Sequence, residues 1–363
     1  MKASGRRRAA RCLMWISLPL LALLLGGVLV LLAIEWRPAP VLDTPVQGQA
    51  SDAALASSLR LLTWNIGYAG LDDGADFFMD GGRMVRAPSA ERVRQNLAGI
   101  REVLRRHAGF DLLLLQEVDR DSSRTFGIDE AREIAADLPG FAWSFAPNYR
   151  SPWVPWPLLR PIGRVESGLL SLSRRPVSSA RRLQLPGAFP WPVRVFHLKR
   201  CLHELRLPAG DGRDWVVVNL HLSTFDRDGR LRRQEMAYLR ERLIRLAQDG
   251  AYVIAAGDFN QVFPGVDEAR FGHADPVPDW RIAVDPDWLP PGFRWAFDGE
   301  RPSLRAVNRP WRPGQNFVTV IDGFLLGPGV EAAEVRTLDL GFRHSDHHPV
   351  LLEARRASEP PGD

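Results

Sequence analysis

Residues 251–259 read AYVIAAGDF, and Asn260 follows. An almost unbroken apolar run of this length suits a strand covered on both faces. It delivers a carboxylate, Asp258, at its end. The same construction recurs along the chain. LRLLTWNIG at 59–67 carries Asn65, FDLLLLQEV at 110–118 carries Glu117, and DWVVVNLHL at 214–222 carries Asn219 and His221. Asp322 interrupts FVTVIDGFLL at 317–326, Asp346 and His347 stand directly before HPVLLEA at 348–354, and GLLSLSR at 168–174 completes the set. Apolar residues recur at helical spacing in Ser89–His107 (Val93, Leu97, Ile100, Leu104) and in Gly229–Leu246 (Leu231, Tyr238, Leu239, Leu243, Leu246). Each of these helices leads into a strand. The pattern predicts an α/β protein with layered sheets and outer helices.

A single Asn or Asp at the end of a strand is ordinarily a turn former. Six strand ends bearing amide, carboxylate or imidazole are a different matter, because sheet edges at one end converge in space. They are expected to build a carboxylate-rich pocket. Its donors are hard oxygens without a thiolate, which suits Mg²⁺ or Mn²⁺ and argues against a cysteine zinc site. The added histidines supply proton transfer near neutral pH. The set fits metal-assisted hydrolysis of a phosphoester.

In this order, TWNIG, LLLQEVD, VNLHLS, AAGDFNQ, VIDGFLL and HSDHHPV resemble the endonuclease/exonuclease/phosphatase superfamily. Its members include deoxyribonuclease I, exonuclease III-type repair nucleases, inositol polyphosphate 5-phosphatases and neutral sphingomyelinases. The resemblance covers residues 59–354 and implies a four-layer α/β/β/α sandwich of two packed mixed sheets with outer helices. It further implies Glu117 as the main metal ligand, Asn65 beside it as ligand or support, and Asp346 as a further metal-side carboxylate. His347 would contact the scissile phosphate and orient or deprotonate the attacking water, with its tautomer fixed by Asp322. Asp258 would align or deprotonate that water, Asn260 would hold a phosphate oxygen, and His221 would neutralise developing charge or protonate the leaving oxygen. The 5-phosphatase Trp-Cys-Asp-Arg run and the exonuclease III Trp-Arg-Ile-Asp-Tyr run are both absent, so the motifs assign no subfamily.

With 363 residues, 45% hydrophobic and 25% charged, the composition excludes a disordered chain, a collagen and a small disulfide scaffold. Cys12 and Cys201 are expected to stay unpaired. The net charge is +4, but residues 1–34 alone contribute +5, leaving −1 for the rest. That balance disfavours a nucleic-acid footprint, although nucleic acid stays open as a substrate.

Leu13 to Ile34 is uncharged and long enough to cross about 30 Å of hydrocarbon at roughly 1.5 Å per residue. The basic residues before it place the N-terminus in the cytoplasm and the rest outside. A cleaved signal peptide is the competing reading, but the only small-residue site, Gly48-Gln49-Ala50, lies far downstream. The expected organisation is therefore a basic cytoplasmic tail at 1–12, a transmembrane anchor at 13–34, a Pro/Ala/Ser-rich linker at 35–58, a catalytic domain at 59–355 and a disordered tail at 356–363. The whole is expected to be a monomeric membrane-anchored phosphodiesterase acting on lipid headgroups or small phosphoesters. An anchored extracellular nuclease is the first alternative and an inactive binding domain the second.

Other groups carry weaker signals. His344, His347 and His348 would form a local histidine metal site if their rings met. Gln116 supports Glu117 or simply packs, and Tyr149 and Arg150 fall where a phosphate contact is expected. Lys199 and Arg200 in FHLKRCL read as a phosphate clamp or a solvated strand edge. SPWVPWP at 151–157 and FPWP at 189–192 read as rigid loops or as loops resting on a membrane.

Overall fold

A computed structural model describes residues 2–52, 57–226 and 228–357. In chain order its strands are β1 (Val41–Asp43), β2 (Ser58–Asn65), β3 (Leu112–Asp119), β4 (Ala142–Val154), β5 (Gly163–Ser173), β6 (Ser179–Gln184), β7 (Cys201–Pro208) and β8 (Asp214–His221). β9 (Tyr252–Asp258), β10 (Arg294–Ala296), β11 (Leu304–Arg305), β12 (Val318–Thr319), β13 (Asp322–Leu326), β14 (Val330–Thr337) and β15 (Val350–Arg356) follow. The α-helices are α1 (Lys2–Ile34), α2 (Ala90–Arg106), α3 (Glu130–Ala136) and α4 (Arg230–Gln248).

Two mixed sheets form, in the orders β1-β6-β7-β8-β9-β13-β10 and β14-β15-β2-β3-β5-β4. Each has one parallel pair at its centre, β8 with β9 and β2 with β3. Alternation along the central strands explains why they read as continuous apolar runs. Leu59, Leu61, Leu112 and Leu114 face Val217, Ile254 and Ala256 between the sheets. Their neighbours Leu62, Trp64, Leu113 and Leu115 turn outward onto Val93, Leu97, Ile100 and Leu104 of α2. On the other side, Leu239, Leu243 and Leu246 of α4 cover Val216, Val218 and Val253. Four layers result, as the family resemblance implies. Ser89 starts α2 by accepting from the Arg92 amide at 3.1 Å.

The 317–326 run is two strands and not one. The hydroxyl of Ser303 accepts from the amides of Ile321 and Asp322, each at 3.1 Å, which ends β12 and re-aims the chain into β13. Among the described residues, the segment 35–52 is no free spacer. β1 pairs with β6, Gln47 bridges to Trp143, and the Ser51 amide donates to Gly140. Thr44 is buried, with its hydroxyl 3.2 Å from Nε2 of His203 between the sheets. Prolines and small residues in this stretch shape an edge that docks, which composition alone does not distinguish from a linker. The last strand runs to Arg356, and residues 358–363 of the expected tail lie outside the described residues. Within α1, Met14–Ile34 is long and apolar enough to cross a membrane and is unburied.

Candidate active site

The ends of β2, β3, β8 and β9, the start of β13 and the turn before β15 meet at one edge of the sandwich. Parallel β8 and β9 put His221 opposite Asp258, and antiparallel β13 puts Asp322 opposite Asp258 on the other side. Gly257 makes this possible: its φ is +144°, and a Cβ there would lie 2.0 Å from the Leu220 carbonyl oxygen. Glu117 sits where β3 bulges against β5, with φ +52°, and Asn260 has φ +51°. Both occupy the left-handed region that side-chain-bearing residues avoid, a strain that recurs where function fixes a side chain.

Asn65 Nδ2 donates to Glu117 at 3.3 Å and to Asp258 Oδ2 at 3.1 Å, while its Oδ1 accepts from the Gly67 amide at 3.0 Å. The amide oxygen expected to face a metal is thus engaged by the backbone, and Asn65 orients the two carboxylates. Gly67, φ +50°, lets the 345–347 turn approach; a Cβ there would stand 2.9 Å from Asp346 Oδ1. His347 Nδ1 donates to Asp322 Oδ2 at 2.8 Å, and that same oxygen accepts from Ser303 at 2.7 Å. Nε2 of His347 points to Asp258 Oδ2 at 3.8 Å. His221 Nε2 lies 3.3 Å from the same Asp258 oxygen, and its Nδ1 is buried without a partner. Asn260 donates to the Leu222 carbonyl at 2.7 Å.

Charge in this cluster is set by burial and proximity. Burial works to lower His347, but Asp322 and the other carboxylates overcome it and hold the imidazole up to about 10. Asp258 is raised to about 7, by burial first and then by Asp322. Asp346 is likewise raised to about 7 by burial, with Glu117 adding to it against His347. His221 goes the other way, far below its ordinary value, through burial, Arg200 and His347. Burial thus favours the neutral form of the imidazole.

All eight expected residues come together. Glu117, Asp346, Asp258, Asn260, His221 and His347 line one cavity of about 600 Å³, with Asn65 and Asp322 behind them. Asp258, Asp322 and His347 can bring one ligand atom each within 4.8 Å of the others, a possible cation group. Asp322 does not line the cavity; its Oδ2 accepts from His347 and Ser303 while Oδ1 is buried without a partner, and Glu117 and Asp346 are the carboxylates that face the substrate side. The histidine metal site does not form. His348 stacks on Phe342 at 3.8 Å and lies 3.1 Å from the Pro302 carbonyl, and His344 packs on Gly99 of α2. Gln116 packs by donating to Asn219 and Thr63, and Lys199 donates to the Arg194 carbonyl.

Arg200 is the residue whose role the sequence left open. It lines the cavity and is buried, its Nη1 has no hydrogen-bond partner, and no ion pair reaches it among the described residues. Burial lowers its pKa, against Glu235, Glu117 and Asp258. A buried cation without a partner costs stability, and a phosphate would satisfy it. Arg200→Met is expected to keep or raise the melting temperature while weakening phosphoester binding about tenfold or more, read as KM. A lowered melting temperature with unchanged KM would make Arg200 structural.

Known proteins share the fold. Solved structures similar in fold include an endonuclease/exonuclease/phosphatase from Beutenbergia cavernae DSM 12333, at 18% identity and TM-score 0.52, covering 82% of this chain and 72% of that one. ANGEL2, a 2',3'-cyclic phosphatase in complex with adenosine-2',3'-vanadate, matches at 16% identity and TM-score 0.53, over 87% of this chain and 99% of its own. D. rerio TDP2 complexed with single strand DNA product matches at 14% and 0.51, over 83% and 100%. No curated protein sequence matches significantly. The Endonuclease/Exonuclease/phosphatase family model matches residues 62–347, most of the chain and all the site residues named above, and the protein belongs to that family.

Proposed function

We propose that this protein is a membrane-anchored, divalent-metal-dependent phosphoesterase that hydrolyses phosphodiester bonds by an activated water, with its catalytic domain outside the cytoplasm. The observation that carries the reading is the joint placement of Glu117 and Asp346 with the His347–Asp322 pair and Asp258 around one cavity. Mg²⁺ or Mn²⁺ fits the donors, which are carboxylates; Asp346 is raised by burial first and then by the Glu117 charge, both of which a cation would offset. When bound, the ion would supply Lewis-acid polarisation of the phosphoester and neutralise its charge. Glu117 and Asp346 would hold it, and Asn65 keeps Glu117 in place.

Asp258, raised to about 7, is the group poised to take a proton from water near neutral pH. His347 stays protonated beside it, presents positive charge to the phosphoryl oxygens and can return a proton to the leaving oxygen. Asp322 holds that ring from behind. Asn260 spends one amide proton on Leu222 and keeps the other for a phosphate oxygen. A panel of bis(p-nitrophenyl) phosphate, p-nitrophenyl phosphate, DNA and RNA with added metal tests the reaction class. Preference for the monoester would refute the diesterase reading.

Retention of the anchor is supported by Thr44. Cleavage after Ala50 would remove β1 and strip Thr44 from His203 and Ser144, opening a buried polar layer. The full-length mass is therefore expected in membranes, with a reporter fused after Asp363 active only outside the cytoplasm. A soluble product beginning near Ser51, or a cytoplasm-only signal, would refute this topology.

A further inference from the structure

The floor of the cavity is polar and its walls are not. Phe77, Phe78, Trp156, Phe189, Val193 and Phe196 line it together with Glu117, Asp346 and His347. Two of these wall residues also stand at the surface, Trp156 at 60% exposure and Val193 at 47%. The same two stretches, 153–159 and 189–193, expose Trp153, Leu158, Leu159 and Trp191, with Leu159 at 98%. A cluster of this size marks a contact surface.

What it faces follows from α1. Glu35, the residue after the span, pairs with Arg194 at 2.9 Å, in the turn that carries Val193 and Phe196. Trp36 lies under the Arg182 guanidinium, 5.3 Å from ring centre to carbon. Ala33, Ile34 and Trp36 border a smaller hollow with Arg150 and Pro152. The last turn of the apolar helix is thus seated between the loops whose apolar tips ring the cavity mouth. With Met14–Ile34 in a bilayer, those tips lie at its surface, where Trp is favoured and Leu inserts.

We infer that the cavity takes its substrate from that bilayer. The substrate is a phospholipid whose headgroup phosphodiester reaches Glu117, Asp346 and His347 while hydrocarbon lies along the Trp156 and Phe189–Phe196 wall. This rests on the phosphoesterase reading above and adds the substrate class to it. In the reaction a water oxygen forms a new bond to phosphorus and one ester P–O bond breaks. The proton lost by the water is balanced by one gained at the leaving oxygen. The products are a phosphate monoester and an alcohol, one of which keeps the acyl chains.

The test uses the full chain, with Mg²⁺ or Mn²⁺, in vesicles of phosphatidylcholine, phosphatidylethanolamine and phosphatidylglycerol. Hydrolysis of these lipids is compared with that of their water-soluble dibutanoyl counterparts, of bis(p-nitrophenyl) phosphate and of single-stranded DNA. At equal headgroup concentration at least one long-chain lipid should be cleaved about tenfold faster than its dibutanoyl form. Leu158→Ser with Leu159→Ser, at two positions outside the cavity lining, should lower the long-chain rate about tenfold and leave the bis(p-nitrophenyl) phosphate rate unchanged. Equal rates for long and short chains, or faster cleavage of DNA than of any lipid, would overturn the inference while hydrolysis of bis(p-nitrophenyl) phosphate upholds the phosphoesterase reading. No hydrolysis of any substrate would sink both.

Discussion

Glu117→Gln is expected to lower the hydrolysis rate by about 10²–10⁴-fold, the scale on which a bound cation stabilises a phosphoryl transition state by several kcal/mol. The substitution keeps the shape of the side chain and its contact with the Asn65 amide, 3.3 Å away, but removes the charge. The bulge that aims residue 117 is backbone geometry, so the fold should persist and the melting temperature without metal should change little. Asp346 reports the same event independently. It is raised to about 7, partly by Glu117, so removing that charge should bring its titration down toward the ordinary carboxylate range. Metal affinity, measured by calorimetric titration with Mn²⁺, should fall together with the rate. Unaltered affinity and rate in Glu117→Gln would remove Glu117 from the metal site.

His347 and Asp322 should behave as one unit. His347→Ala is expected to slow turnover by about 10²–10⁴-fold, the usual range for a lost acid–base group. Asp322→Asn should slow it no more than that, because the ring stays but loses the carboxylate 2.8 Å from Nδ1. The double variant should be no worse than His347→Ala, since residues acting through one group are not additive. A pH profile separates this from a merely structural role. His347 is held up to about 10 by Asp322 first among the neighbouring carboxylates, so its proton is retained through neutral pH and lost as the pH rises through that value. Without the Asp322 charge the proton leaves sooner, and the alkaline limb of the profile should move to lower pH. Multiplicative losses with an unmoved alkaline limb would show that Asp322 acts on something other than His347.

The central strands were readable because they are buried on both faces, and each alternation between the helix side and the inter-sheet side still lands on an apolar residue, as in Leu61 and Leu62. β14 was not: VEAAEVRT is an edge strand with most side chains in solvent, so neither alternation nor an apolar run marks it. β6 carries a fully buried Arg182 that donates to the Pro147 and Lys199 carbonyls, a partnership invisible in sequence. The site was legible because its residues sit at strand ends, where chain order alone implies convergence. What chain order does not contain is which atoms are already engaged. Asn65 turns its oxygen to Gly67, burial lowers the pKa of His221, and Arg200 is buried by tertiary packing that its neighbours Lys199 and Cys201 do not announce. The docked stretch 41–51 escaped for a related reason. Its hydrogen bonds go to β6, Trp143 and Gly140, all far away in the chain.

The most direct measurement is hydrolysis of bis(p-nitrophenyl) phosphate by the full chain, first in EDTA and then after Mg²⁺ or Mn²⁺ is restored. Glu117, Asp346 and their neighbours should be inert in EDTA, and activity should return with the ion, saturating as the site fills. Full activity in EDTA would contradict a metal-dependent reaction at this cavity.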